Sequence, residues 1–446
     1  MGLSAFLRPG TGRVRRDVIH PDPTEAQHPG GKSEGSAMEN PEIVIIGAGI
    51  SGGAVGTALA RRGISVLLLE KSLVHQDRVR GEFLVPWGVN EAERLGVLDV
   101  LLGAGGHYIR RSIPYGEAIA PDAARAGALE LGGLLPDISG ALGFSHPRAC
   151  QAFDDAALMA GAALLRGVGD ITVAAGAPPE VAFTHEGREY RLSPRLVVGA
   201  DGRGSAVARQ IGAHVGRDPD HHLLAGMLIE GAEVWPDEEY TIGTDGDVVY
   251  FIFPQGGGRV RLYAGYALDQ ADRFAGPDGA RRFLDAFRLP SLPQGDALAC
   301  ARPAGPCRGA PNADTWVDRP VAPGVVLIGD AAGYSDPTSG QGLSIALRDA
   351  RLVSEAYLDV NACTAETFAC YVAERRERMH RIRFTTRHYS HLRAEFTAEA
   401  RARRRRAAER TAADRTFALP ILSLLKGPFG VPDQAFSEEA WSRLLH

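Results

Sequence analysis

The segment EIVIIGAGISGGAVGTALARRGISVLLLE, residues 42–70, narrows the fold more than any other part of the chain. An apolar run meets Gly47-Ala48-Gly49-Ile50-Ser51-Gly52, small residues with helical character follow, and a second apolar run closes on Glu70 and Lys71. Short apolar runs bounded by glycine read as strands buried on both faces, so the segment predicts a strand–helix–strand unit with parallel strands. Gly47 permits the tight turn, Gly49 lets the backbone approach a pyrophosphate, and Gly52 lets the helix pack closely. The free N–H groups at the helix start, around Ser51, favour an anion. Glu70 ends the next strand and is suited to accept two hydroxyl hydrogen bonds from an adenosine ribose. Lys71 joins the candidate cofactor-binding set. This motif alone does not separate FAD from NAD(P).

Two further glycine-rich turns make that separation. RLVVGADGRGSAVARQIG at 195–212 and VAPGVVLIGDAAGYSDPTSGQGLSIALRDARLVSEAY at 321–357 both read as apolar strand, glycine turn and helix. GADGRGSAVAR resembles the DG motif, and GDAAGYSDPTSGQGL the GD motif, of class A flavoprotein monooxygenases of the para-hydroxybenzoate hydroxylase type. With the first turn, three motifs stand in that family's order, and the resemblance covers roughly residues 40–430.

The resemblance implies FAD held across the first domain and NAD(P)H as a transient co-substrate. Asp330 is similar to the aspartate that bonds the ribityl chain, Pro337 and Thr338 to the segment over the reactive ring, and Gly340, Gly342, Leu343 and Ser344 to the helix start facing the flavin pyrimidine edge. Asp201 and Arg209 match the DG motif; for Asp201 a loop-capping carboxylate is the plainer alternative. In Arg78-Val79-Arg80-Gly81, Arg80 is the better candidate for the arginine that contacts cofactor, and Arg148 matches a further FAD contact. Gly333 stands where many hydroxylases have His, a form shared with flavin halogenases and geranylgeranyl reductases. Glu82 is an acid the pattern does not require, and a salt bridge with Arg80 is expected for it.

The fold class expected is α/β: a Rossmann-like FAD-binding domain, an inserted antiparallel-sheet substrate domain and a helical C-terminal region. The boundaries are a flexible tail at 1–37, FAD-binding parts at 38–110, 147–215 and 301–365, an irregular substrate-side insertion at 111–146, the substrate sheet at 216–300, and helices over 366–446. Met38, just ahead of the first strand, is also where a shorter reading frame would start. The substrate pocket is expected between the FAD domain and that sheet, with Tyr250, Phe251, Phe253, Tyr263 and Tyr266 alternating toward its two faces. No acid or base is assigned, so catalytic residues are left open.

Composition removes several other classes. The chain of 446 residues has 54 acidic and 49 basic side chains, a net charge of −5 that makes no general bid for nucleic acid. ARARRRRAAER at 400–410 lacks interleaved aromatics and reads as a solvated helix face. No apolar run reaches the roughly 18 residues of a membrane span, and Arg15-Arg16 is followed by no apolar export segment. Five Cys without a C-x-x-C fit free thiols and a cytoplasmic protein. The His at 221, 222, 388 and 391 lack companions at metal-ligand spacing.

The resemblance thus implies a cytoplasmic, single-component monooxygenase, monomer or homodimer. Reduced FAD would add O2 as a C4a-hydroperoxide and hydroxylate or epoxidise an aromatic or other electron-rich small molecule. A reductase or saturase of the geranylgeranyl reductase type is the alternative that Gly333 favours. A halogenase is a further one, weakened because no W-x-W-x-I-P segment exists and Lys71 is the only lysine between the tail and the DG motif. An FAD-binding protein without turnover is the remaining reading.

Overall fold

The computed structural model describes residues 41–79, 81–360, 363–364 and 366–446. The expected tail and Arg80 lie outside these residues. In chain order, β1 (Ile43–Ile46), β2 (Val66–Glu70), β3 (Ala163–Arg166) and β4 (Leu196–Gly199) belong to a first sheet. β5 (His222–Glu230), β6 (Glu239–Asp245), β7 (Val248–Gly256) and β8 (Arg259–Tyr266) build a second, and β9 (Val325–Leu327) returns to the first.

The first sheet runs β9-β4-β1-β2-β3, all parallel, with Val321–Ala322 antiparallel at its edge. Its strands are apolar on both faces because both are covered. Ile43 and Ile45 face a helical layer, while Val44 and Ile46 face the antiparallel strands Gly169–Ala174, Glu180–His185 and Arg188–Leu192. The helical layer holds α1 (Ile50–Ala60), α2 (Pro86–Leu95), α3 (His146–Met159) and α4 (Gly342–Val360). Small residues set their spacing: a Cβ on Gly53 would lie 2.6 Å from the Phe153 Cβ, so α1 and α3 touch backbone to side chain. From β1 the chain builds β2 and β3 on one side and later β4 and β9 on the other. The switch point therefore lies between β1 and β4, where such sheets bind ligands.

The second sheet has order Arg302–Pro303, β5, β8, β7, β6, Arg111–Ser112, Leu129–Glu130, with Arg308–Asn312 also paired to β5. β7 and β8 form the hairpin at Gly256–Gly258 that the alternation predicts. Period-two geometry splits the aromatics. Tyr250 and Tyr266 pack with Phe283 and Phe287 beneath one face, while Phe251, Phe253 and Tyr263 look toward the helical layer of the first sheet, where Trp87 and Ile345 join them.

Two expectations need correction, the end of the second sheet and the solvation of the arginine run, and others gain detail. The sheet does not end at 300, because Arg308–Asn312 (RGAPN) pairs with β5 although Gly and Pro hide its strand character. The segment 111–146 carries Arg111–Ser112, which extends the sheet in parallel to β6. The C-terminal region is helical as expected, with α5 (Ala369–Arg393), α6 (Ala398–Ala413) and further helices at Leu419–Lys426 and Glu438–Leu445. The arginine run is not wholly solvated: Arg403 and Arg404 are buried, and Arg404 donates to Glu117 at 2.6 and 2.8 Å and to the Leu392 and Glu395 carbonyls. Among the described residues no helix is long and apolar enough to cross a membrane, and no group of His, Cys, Asp and Glu forms a metal site.

Candidate cofactor and substrate site

At the switch point the three glycine turns converge. Gly47 has φ +100°, and a Cβ there would lie 2.5 Å from the Ala200 carbonyl oxygen, so the turns after β1 and β4 touch through backbone. Gly329 has φ +57°, and a Cβ on it would lie 2.1 Å from Ser51 Oγ, which seats the turn after β9 on the start of α1. A Cβ on Gly52 would lie 1.9 Å from the Gly47 carbonyl oxygen. These glycines are required by packing. Gly49, Gly340 and Gly342 differ, because a Cβ on any of them meets nothing within 4 Å. They line open space beside the starts of α1 and α4, the cradle an FAD pyrophosphate and flavin would fill.

Glu70, the residue expected to hold the ribose, ends β2 with both carboxylate oxygens bonded to backbone N–H groups. Its Oε2 accepts from the Ala48 N–H at 2.9 Å and its Oε1 from the Ser72 N–H at 2.8 Å. Burial alone would raise its pKa, yet these two donors hold it below the ordinary carboxylate value. Each oxygen retains lone-pair capacity for a hydroxyl. Lys71 beside it is exposed, and Arg78 donates to Ser72 Oγ at 3.3 Å. Arg148 is exposed on the first turn of α3.

The DG turn is self-capped. Asp201 accepts from Ser205 Oγ at 2.6 Å and from the Ala206 and Val207 N–H groups at 2.6 and 3.2 Å, which is the plainer role foreseen for it. Arg209 donates to the Gly204 carbonyl at 2.6 Å. Arg203 lies 3.5 Å from Asp330 and stacks 4.3 Å above the Tyr334 ring, bridging the DG and GD turns. Gly333 has φ +107°, and a Cβ would lie 2.5 Å from Trp316 Cα. That close approach is the physical reason a His does not stand here.

The start of α4 is held from below. The Gly329 N–H donates to Asp349 Oδ2 at 2.8 Å, and Asp349, wholly buried, also accepts from Arg375 at 3.0 Å and Arg378 at 2.6 Å. Burial opposes its ionisation, but the two guanidiniums win and lower its pKa. Gln341 accepts from Trp87 Nε1 at 2.9 Å and donates to the Ser339 carbonyl at 2.6 Å. Pro337 opens a short turn capped by Asp336, whose Oδ1 accepts from the Thr338 N–H at 2.9 Å. Thr338 meets buried His222 at 2.8 Å, and burial pushes neighbouring Asp314 up to about 7. Leu343 packs at Gly81, and Ser344 at Gly88 with its buried Oγ unpaired.

Sequence reasoning missed Asp349, Gln341 and the polar group around Glu82. Asp349 had a signal, since it falls four residues after Ile345 and four before Val353 on the buried face of α4. Glu82 meets Arg261 at 3.1 Å and accepts from Tyr263 OH at 2.6 Å, while Arg80, the partner expected for it, lies outside the described residues.

A parallel doubly wound sheet, three convergent glycine turns and a buried carboxylate at the end of β2 define an FAD-dependent flavoprotein. The chain belongs to the FAD binding domain family FAD_binding_3, whose model matches residues 40–386. It is 27% identical over 330 residues to digeranylgeranylglycerophospholipid reductase 2 of Methanococcoides burtonii, covering 70% of this chain and 74% of that one. A local match of 43% over 72 residues, 16% of either chain, is to squalene epoxidase erg1 of Schizosaccharomyces pombe. Among solved structures, PqsL of Pseudomonas aeruginosa, described as a probable FAD-dependent monooxygenase, superposes with TM-score 0.68 at 21% identity, over 80% of this chain and 97% of that one.

Proposed function

We propose that the protein is a monooxygenase that uses NAD(P)H and O2 to hydroxylate or epoxidise an aromatic or other electron-rich small molecule. The observation that carries this reading is the aromatic face of the second sheet, where Phe251, Phe253 and Tyr263 pack with Ile345, one turn into α4. FAD bound in the cradle supplies the redox and oxygen chemistry. The chain's own residues do the rest. The turn Gly47–Gly52 and the start of α1 hold the pyrophosphate, Glu70 the adenosine ribose and Asp330 the ribityl chain. The N–H groups of Leu343 and Ser344 favour negative charge at the pyrimidine edge. Phe83, Phe253 and Tyr240 exclude water, with Phe83 stacked on Phe253 at 4.6 Å.

The local likeness to squalene epoxidase and the PqsL fold support this reading. A prenyl-chain reductase is the second reading, favoured by the reductase relative and by Gly333. One experiment separates them: the FAD-loaded protein is mixed with NADPH or NADH, first without oxygen and then with 18O2 and a panel of aromatic and isoprenoid compounds. Label in product carries the proposal. Saturated product without label favours the reductase, and flavin that neither nucleotide bleaches refutes a self-sufficient enzyme.

A further inference from the structure

β2 and β3 end side by side, and their register pairs Glu70 with Arg166. Paired residues of neighbouring strands turn to the same face, and here it is the face of Leu68 and Leu164, against the helical layer. Opposite charges so placed favour pairing across the strands. Yet among the described residues no ion pair joins Glu70 to Arg166. Glu70 turns its oxygens to the Ala48 and Ser72 N–H groups, and Arg166 turns instead to α3.

The cause lies on α3. Asp154 falls on its buried face with Cys150, Phe153 and Ala157 and is wholly excluded from solvent. A buried carboxylate needs a charged partner. Its Oδ2 accepts from Arg166 Nη2, and from His75 Nε2 at 2.8 Å. Arg166 Nη2 also donates to Gln151 Oε1 at 3.3 Å, and Nη1 to the Ser72 and Leu73 carbonyls, each at 3.3 Å. With the guanidinium so occupied, the lone pairs Glu70 keeps beyond its two backbone donors stay open to hydroxyls. A guanidinium resting on Glu70 would take them, since a fork of two parallel N–H bonds is the strong geometry of Arg with a carboxylate.

We infer that Asp154 is a positioning residue for cofactor selection: by holding Arg166 it keeps Glu70 free for the adenosine ribose of FAD. This role rests on the ribose contact proposed for Glu70 and holds whatever reaction the flavin performs. Ser72 ties the parts together, because its carbonyl is held by Arg166 and its N–H by Glu70. FMN carries no adenosine, so comparing FAD with FMN separates an effect through Glu70 from general damage to the cradle.

The full-length protein, stripped of flavin, is titrated with FAD and with FMN by fluorescence quenching. Wild type, Glu70→Gln, Asp154→Asn, Arg166→Gln and the double variant Asp154→Asn/Arg166→Gln are compared. Asp154→Asn releases Arg166 to Glu70, and FAD binding weakens about tenfold or more while FMN binding stays within about twofold. Adding Arg166→Gln restores FAD binding to within about threefold of wild type, because no guanidinium remains to reach Glu70. A merely structural role for Asp154 gives no such recovery. FAD binding by Asp154→Asn within about twofold of wild type overturns the inference, as does an equal loss of FMN or a loss that Arg166→Gln fails to relieve. Where a single variant strands its partner charge and does not fold, or FMN binds too weakly to measure, the double variant decides. It strands neither charge, and a tenfold or greater loss of FAD affinity in it overturns the inference. If Glu70→Gln leaves FAD binding unchanged, the ribose contact falls and the inference with it. If Glu70→Gln weakens FAD binding and Asp154→Asn does not, the inference alone falls.

Discussion

Gly49 and Gly52 belong to one motif, yet the structure gives them different tasks, and a pair of substitutions separates them. At Gly52 a Cβ would sit 1.9 Å from the Gly47 carbonyl oxygen, a backbone atom that no rotamer change can move, so relief requires α1 to move off β1. Gly52→Ala should cost about 3 kcal/mol of apoprotein stability, the upper part of the overpacking range. At Gly49 φ is −74°, ordinary for any residue, and a Cβ meets nothing within 4 Å. Gly49→Ala should change stability by less than about 1 kcal/mol, because the gain from a stiffer unfolded chain opposes the poorer N-cap. If the pyrophosphate lies in the proposed cradle, the methyl group enters its path and should cost at least one charge-assisted hydrogen bond, about 1.5–3 kcal/mol, or roughly ten- to a hundredfold in FAD affinity. Urea unfolding of the apoprotein and FAD titration by fluorescence quenching measure the two quantities on the same samples. FAD binding by Gly49→Ala within about twofold of wild type would refute the cradle, and unfolding as easy as that of Gly52→Ala would refute the open-space argument.

Other perturbations test the remaining claims. Gly333→His forces a side chain into φ +107° with its Cβ 2.5 Å from Trp316 Cα, so thermal melting should show a loss of about 3 kcal/mol or more rather than a gain of hydroxylase character. The folded protein keeps a proton on Glu82 up to about 7 against an ordinary 4.5. It therefore binds more protons than the unfolded chain within that window, and stability falls as pH rises through it, by on the order of 3 kcal/mol at most. The melting curve of Glu82→Gln should be flatter between those pH values, and an unchanged slope would refute the shift. Arg404→Ala strips four hydrogen bonds, two of them to Glu117, and should cost about 3 kcal/mol, whereas exposed Arg405→Ala should change stability by less than about 0.5 kcal/mol in the same denaturant titration.

The glycine turns, the strands that feed them and the carboxylate ending β2 were legible in the linear chain because each is a local device. A positive φ, a close backbone approach or a strand buried on both faces restricts residue type within a few positions. The hairpin of β7 and β8 and its two aromatic faces were equally legible, since strand alternation carries that information. The partners were not. Glu82 and Tyr263 stand 181 residues apart and Arg404 and Glu117 stand 287 apart, and neither pair leaves a local trace. Gly333 reads as a loosened motif until Trp316 is seen against it, and RGAPN falls in a segment assigned to the FAD-binding part although β5 pairs with it. Backbone geometry is set by neighbours in sequence. Which charge faces which, and which glycine borders open space, is set by how two sheets and a helical layer pack.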